Sequence, residues 1–132
     1  DMERFGQFKR LAADGNLKNV DLMVGDISRN STEILASDLT AANFGNVAED
    51  ASHADLAAGV VNLVLQAIGT MTVLATKTCP AKEVILTGSV TTLDQTRPNF
   101  ETFERFYGIH YIIPENATFA TAYGAALHAL GR

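Results

Sequence analysis

The sequence predicts an α/β fold in which parallel strands are covered by helices, and three observations carry that expectation. Glu83-Val84-Ile85-Leu86-Thr87-Gly88-Ser89 is a short apolar run without polar alternation that stops on Gly-Ser, the pattern of a strand covered on both faces. His110-Tyr111-Ile112-Ile113 reads as a second strand, closed by Pro114. The surrounding segments run helix, strand, helix, strand, helix, an order that favours parallel pairing across a helical crossover. A length of 132 residues with 47% hydrophobic and 19% charged side chains suits one globular domain, or one lobe of a larger protein.

Each element has its own signature. Met2, Phe5, Phe8 and Ala12 recur at helical spacing, and Asp14-Gly15 offers a left-handed stop. Asn19 then caps a second, short helix with Val20, Met23, Val24 and Ile27 on one face and Asp21 in its first turn. Ser28 to Ser37 is polar and irregular, a surface loop. Leu39-Thr40-Ala41-Ala42-Asn43-Phe44-Gly45 combines small residues, an amide and a glycine, as a chain does where its backbone touches a ligand or packs under another element. Ser52 with Asp55 three residues on forms a capping pair for a long helix reaching Thr78, which Pro80 ends.

Leu56 to Thr76 carries no charge and could by length span a bilayer. Asn62, Gln66 and Thr70 nevertheless lay a polar stripe along it, which suits a buried helix, or one pairing with a second copy, better than lipid. Thr91 to Arg97 is a polar connection. Pro98 opens a helix with Phe100, Phe103, Phe106 and Tyr107 on one face, and Gly108 stops it. Phe119, Ala122, Tyr123, Ala126 and Leu130 mark a final helix, with Ala120 and Gly124 forming a slim face.

Several function classes are disfavoured. A net charge of −5 without a basic cluster argues against nucleic acid. The single cysteine, Cys79, allows no internal disulfide and no cysteine-set zinc site, so a reducing, cytoplasmic setting is the default. The start at Asp1, without an initiator Met or a signal-peptide pattern, suggests a piece of something longer. His53, His110 and His128 lack metal-ligand spacing and read as surface or strand-edge residues. Asp21, Asp26, Asp38, Asp55, Asp94 and Glu115 are scattered and read mostly as caps and surface charges. Neither a serine nucleophile elbow nor a G-x-x-x-x-G-K-[ST] loop occurs. The sequons at Asn30 and Asn116 read as chance. Gly88 and Ser89, at the carboxyl end of the central strand, stand where α/β sheets collect ligands.

Taken together, Asn19-Val20-Asp21-Leu22-Met23-Val24-Gly25-Asp26-Ile27, then Asp38 to Gly45, then Ile85-Leu86-Thr87-Gly88-Ser89, then Glu115-Asn116 followed by Tyr123-Gly124-Ala125-Ala126-Leu127, resemble the C-terminal half of type II pantothenate kinases. The resemblance implies the C-terminal lobe of a ribonuclease H-like actin/sugar-kinase ATPase fold, with residues 1–132 forming that single lobe and the N-terminal phosphate-loop lobe absent from this chain. It implies ATP-dependent phosphorylation of pantothenate, the first step toward coenzyme A, with ATP and Mg2+ as cofactors and the metal bound mainly through the other lobe. By carry-over, Gly88 and Ser89 lie against adenosine. Thr40 and Ala41 border the pantothenate pocket, with Asn43 near them, and Phe103 stands where family members have a substrate-side tyrosine. The family implies a homodimer, and the long helix with Ala57, Ala58 and Gly59 becomes the candidate subunit contact. The family's G-x-D-x-G-G-T loop and catalytic glutamate do not occur here, so no catalytic residue is expected in this chain. Two alternatives stand beside this reading: a non-catalytic interaction or dimerisation module with the same fold, and a sugar kinase of the same superfamily.

Overall fold

The computed structural model describes residues 2–28, 37–79 and 81–131. The predicted loop from Ser28 to Ser37, the Asn30 sequon and the helix-ending role of Pro80 fall wholly or largely outside the described residues. The architecture is α/β, with one small antiparallel and one small parallel sheet. The chain divides into two compact units, Asp1–Val64 and Leu65–Arg132, with the boundary inside one long helix.

In the first unit, helix α1 (Met2–Ala13) has Glu3 in its first turn and Arg10 in its last, each favourable to the helix dipole. Gly15 follows, but not in the predicted left-handed conformation. Its role is close approach: a Cβ there would stand 2.1 Å from the Ala54 carbonyl oxygen and 2.7 Å from the Ala58 Cβ. The predicted second helix from Asn19 is also replaced. A 3₁₀ turn at Leu17–Asn19, capped by Asn16, leads into strand β1 (Leu22–Met23) and then a single turn, α2 (Val24–Ile27). Val20 and Met23 are buried while Ile27 is exposed, so the four apolar residues do not share one covered face. Asp26 accepts the Met23 N–H at 2.8 Å and thereby closes the first turn of α2.

Strand β2 (Thr40–Ala42) pairs antiparallel with β1, Leu22 opposite Ala42 and Met23 opposite Thr40, the register slipping between them. This strand was not foreseen in the Thr40–Gly45 stretch. It ends in a turn where Phe44 has φ 54°, the one positive φ outside glycine among the described residues. Helix α3 (His53–Thr78) then begins on the expected capping pair. The Asp55 N–H donates to Ser52 Oγ at 3.1 Å, and the Ser52 N–H donates to Asp55 Oδ2 at 2.9 Å. Ala57, Ala58 and Gly59 are buried, Ala58 against Gly15 and Gly59 against Phe44 and Val20. Their small size serves packing within the chain, so they do not form the outward face assigned to them. The exposed apolar residues of α3 are instead Val60, Leu63, Val64, Met71 and Leu74.

By length and composition α3 could cross a membrane, but 44% of its most apolar window is buried inside the protein. Asn62, in that window, is 4% exposed and hydrogen-bonded within the first unit. These are the properties of a core helix.

In the second unit, strands β3 (Glu83–Ile85) and β4 (His110–Ile112) pair in parallel as predicted, Val84 opposite Tyr111. The expectation that β3 is covered on both faces fails within this chain: Ile85 is 64% exposed, and Leu86, just past the strand, is the buried residue. Helix α4 (Thr96–Tyr107) connects the strands and ends at Gly108, φ 64°, as its sequence signature requires. Of its predicted apolar face, Phe100 and Phe103 are buried, while Phe106 and Tyr107 are substantially exposed. Gly69 on α3 gives Phe103 its place, since a Cβ at 69 would lie 2.3 Å from the ring. Glu104 ties α4 to β4 by accepting the Tyr111 N–H at 2.6 Å. The Tyr111 hydroxyl meets Thr72 Oγ1 at 2.6 Å. Burial, the dominant cause, pushes the Tyr111 phenol up, and Glu104 adds to the shift. Helix α5 (Ala120–Ala129) buries none of its residues.

Candidate functional site

The first unit is organised around a carboxylate, Asp21, that the sequence reading placed in the first turn of a helix. Asp21 is 0% exposed, set between Val20 and Leu22 where β1 begins. Its Oδ1 accepts the Phe44 N–H at 2.8 Å, and its Oδ2 accepts from Asn62 Nδ2 at 2.8 Å and from the Thr40 hydroxyl at 3.1 Å. Asn62 Nδ2 also lies 3.0 Å from Thr40 Oγ1 and 3.2 Å from Asn43 Oδ1. Two of the sequence-predicted substrate residues, Thr40 and Asn43, thus share one polar network, with Asn62 touching both. The third, Ala41, is exposed on β2 between them. Burying a carboxylate is costly unless its lone pairs are satisfied, and three donors converge on this one. The Asp21 bond to the Phe44 N–H also holds the turn in its left-handed conformation, which a bulky residue adopts only when its surroundings impose it.

A second carboxylate, Asp55, secures the base of the same unit. It accepts the Asn16 N–H at 2.7 Å and Asn19 Nδ2 at 3.1 Å in addition to Ser52. The Asn16 backbone N–H foremost, then Ser52 and Asn19, holds its carboxyl far below the ordinary aspartate range. Asp21 is therefore a structural anchor, not a helix-dipole or surface charge, and Asp55 is the capping acid expected with Ser52, tied in addition to Asn16 and Asn19. The available signals were an aspartate enclosed by apolar neighbours in a would-be strand, and an asparagine in an otherwise uncharged helix.

In the second unit, Gly88 and Ser89 follow β3 as expected. Gly88 has φ 95° and a Cβ built on it would meet nothing within 4 Å, so its backbone faces open space. Its N–H is tied to the Ala117 carbonyl at 2.8 Å and its carbonyl accepts from Thr91 Oγ1 at 2.7 Å. Ser89 is exposed and starts a 3₁₀ turn, Ser89–Thr92. The result is a rigid, glycine-opened ledge, a shape that admits a flat ligand group against backbone. Phe103 belongs to this unit, 7% exposed, with its ring 6.2 Å from Phe100 and 5.8 Å from Tyr107. His53, His110 and His128 are exposed, and the described residues contain no group of three or more His, Cys, Asp or Glu able to hold a metal.

Comparison with known proteins gives the chain its family context. The family model described as Fumble matches residues 1–110. A type II pantothenate kinase of Staphylococcus saprophyticus is 35% identical over 92 residues, 67% of this chain and 35% of that protein. One from Staphylococcus epidermidis is 29% identical over 126 residues, 92% of this chain and 48% of that protein. One from Oceanobacillus iheyensis is 31% identical over 93 residues, covering 69% and 36% respectively. The chain spans half or less of the length of these curated relatives.

Proposed function

The chain belongs to the Fumble family, and we propose that it forms the C-terminal, nucleotide-binding lobe of a type II pantothenate kinase with the actin, sugar-kinase and Hsp70 fold. The complete protein phosphorylates pantothenate to 4'-phosphopantothenate with ATP, at the start of coenzyme A synthesis, in the cytoplasm. The observation that carries this reading is the similarity to relatives named type II pantothenate kinase, which reaches across 92% of this chain.

In this reading Gly88 and Ser89 line the adenosine part of ATP, and the open space at Gly88 suits that role. Thr40, Ala41 and Asn43 border pantothenate. The general base, the phosphate loop and most of the Mg2+ contacts come from sequence outside these 132 residues. Positioning of phosphates and metal dominates phosphoryl transfer, so the 132-residue chain by itself is expected to be inactive. The working protein is a homodimer, and Val60, Leu63 and Val64, all exposed on α3, are the residues offered for its contact.

The test is ADP release by the complete protein, with pantothenate and then with N-acetylglucosamine as acceptor. Strict dependence on pantothenate is expected, with no competition from the sugar. Turnover that follows the sugar would assign a sugar kinase instead, and nucleotide turnover with neither acceptor would leave an interaction module.

A further inference from the structure

The hydrogen bonds around Asp21 fix the sense in which Thr40 meets a ligand. A carboxylate only accepts, so the 3.1 Å contact between Asp21 Oδ2 and Thr40 Oγ1 takes the single hydroxyl proton. The other taker in reach, Met23 Sδ at 4.0 Å, is too weak an acceptor to compete with a buried carboxylate. Asn62 Nδ2 has two N–H: Asp21 Oδ2, at 2.8 Å, takes one, and the other is shared between Asn43 Oδ1 and, at 3.0 Å, Thr40 Oγ1, where it engages one of the two lone pairs of the hydroxyl. One lone pair remains, on a half-buried residue followed by the exposed Ala41 and Ala42. Three residues on, Asn43 turns its Oδ1 inward to Asn62 Nδ2, at 3.2 Å, which leaves its amide nitrogen as the donor to present. The segment therefore offers one acceptor and one donor. That pair is the complement of an amide, which carries an N–H and a C=O side by side.

We infer that Asp21 and Asn62 are positioning residues that set Thr40 as a hydrogen-bond acceptor and Asn43 as a donor, so that this wall selects the amide of the substrate. The inference rests on the pantothenate reading and names which part of that substrate the Thr40–Asn43 segment recognises. Neither Asp21 nor Asn62 needs to touch the ligand. Their effect is transmitted through the Thr40 proton that Asp21 accepts and the N–H that Asn62 donates to Thr40 and Asn43.

The experiment uses the complete protein and two acceptors, pantothenate and its ester analogue, in which oxygen replaces the amide N–H. The wild-type protein is expected to lose about tenfold in kcat/KM on the ester, mainly through KM, the worth of one hydrogen bond left unmade. Thr40→Val is expected to accept both compounds equally, and Thr40→Ser to keep the wild-type discrimination. Asp21→Asn, which turns a donor toward Thr40, is expected to shrink the discrimination and raise the KM for pantothenate while leaving the KM for ATP within about twofold. Equal use of amide and ester by the wild type overturns the inference. So does a penalty that persists undiminished in Thr40→Val, or a parallel rise of both KM values in Asp21→Asn, the mark of a merely structural residue. A wild-type protein that uses pantothenate yet fails these tests refutes the inference alone. One that does not phosphorylate pantothenate refutes the parent reading and the inference with it.

Discussion

Replacing Gly15 by asparagine separates two explanations of the same glycine. If Gly15 only supplied a left-handed stop after α1, asparagine would be tolerated, because it enters that region more easily than other residues. The structure gives a different reason. A Cβ at position 15 would lie 2.1 Å from the Ala54 oxygen, 2.6 Å from its carbonyl carbon and 2.7 Å from the Ala58 Cβ. Ordinary contacts of this kind are about 3.5 Å, so the chain after α1 must withdraw from the first turns of α3 by roughly an ångström. Two of the three obstructing atoms are backbone, and no rotamer change relieves them. The withdrawal loosens the packing at Ala12 and Ala58, 1% and 3% exposed, and strains the Asn16-to-Asp55 bond next to it. Overpacking at a rigid site costs about 3 kcal/mol, and with no flexible neighbour the upper part of the usual range applies. In a protein of the relatives' length that corresponds to a fall of about 6–12 °C in the thermal midpoint. The assay is thermal unfolding of the complete protein as wild type, Gly15→Ala and Gly15→Asn. Both variants are expected to fall together. A Gly15→Asn midpoint within about 2 °C of wild type, with only Gly15→Ala destabilised, would refute the close-approach argument.

Other consequences are equally open to measurement. Asn62→Leu removes the two N–H donors that Asp21, Thr40 and Asn43 share, and urea unfolding should show a loss of about 2–4 kcal/mol. Asp55 has its folded pKa depressed, so its stabilising effect is complete above the unfolded aspartate value near 3.9 and is lost as pH falls toward the folded value. Asp55→Asn should therefore lower the melting midpoint at pH 7 and flatten its decline below about pH 4, which a pH series of melting curves reads directly. Gly88→Ala should cost about 1–3 kcal/mol for a φ of 95° with ψ 176° and raise the KM for ATP with little change in that for pantothenate. An unchanged KM for ATP would remove Gly88 from the nucleotide contact.

The features legible in the sequence were those written in local chemistry. The Ser52–Asp55 capping pair, the Gly108 stop and the parallel β3–β4 unit follow from side chains within a few residues of each other, and the structure has them. What escaped notice depends on residues brought together over long separations. Thr40–Ala42 becomes a strand only because Leu22 and Met23 arrive beside it. Asp21 is an anchor because Asn62, 41 positions away, reaches it. Gly15 and the trio Ala57, Ala58 and Gly59 looked like separate signals, a stop and a subunit contact, yet Gly15 and Ala58 lie against one another. The coverage of β3 was misread for a related reason: a continuous apolar run states that a strand is to be covered, not that the covering residues belong to the same chain segment.

The β3–β4 pair also governs how this chain behaves as a substance. It is a sheet of two strands, and on the outer side of β4 the Tyr111 N–H is already taken by Glu104, so among the described residues the open edge is that of β3, where Ile85 stands 64% exposed. Open edges next to apolar side chains recruit further strands, in register or out of it. Solutions of the 132-residue chain should therefore self-associate through added strands as concentration rises, and light scattering rather than loss of helix would be the first sign.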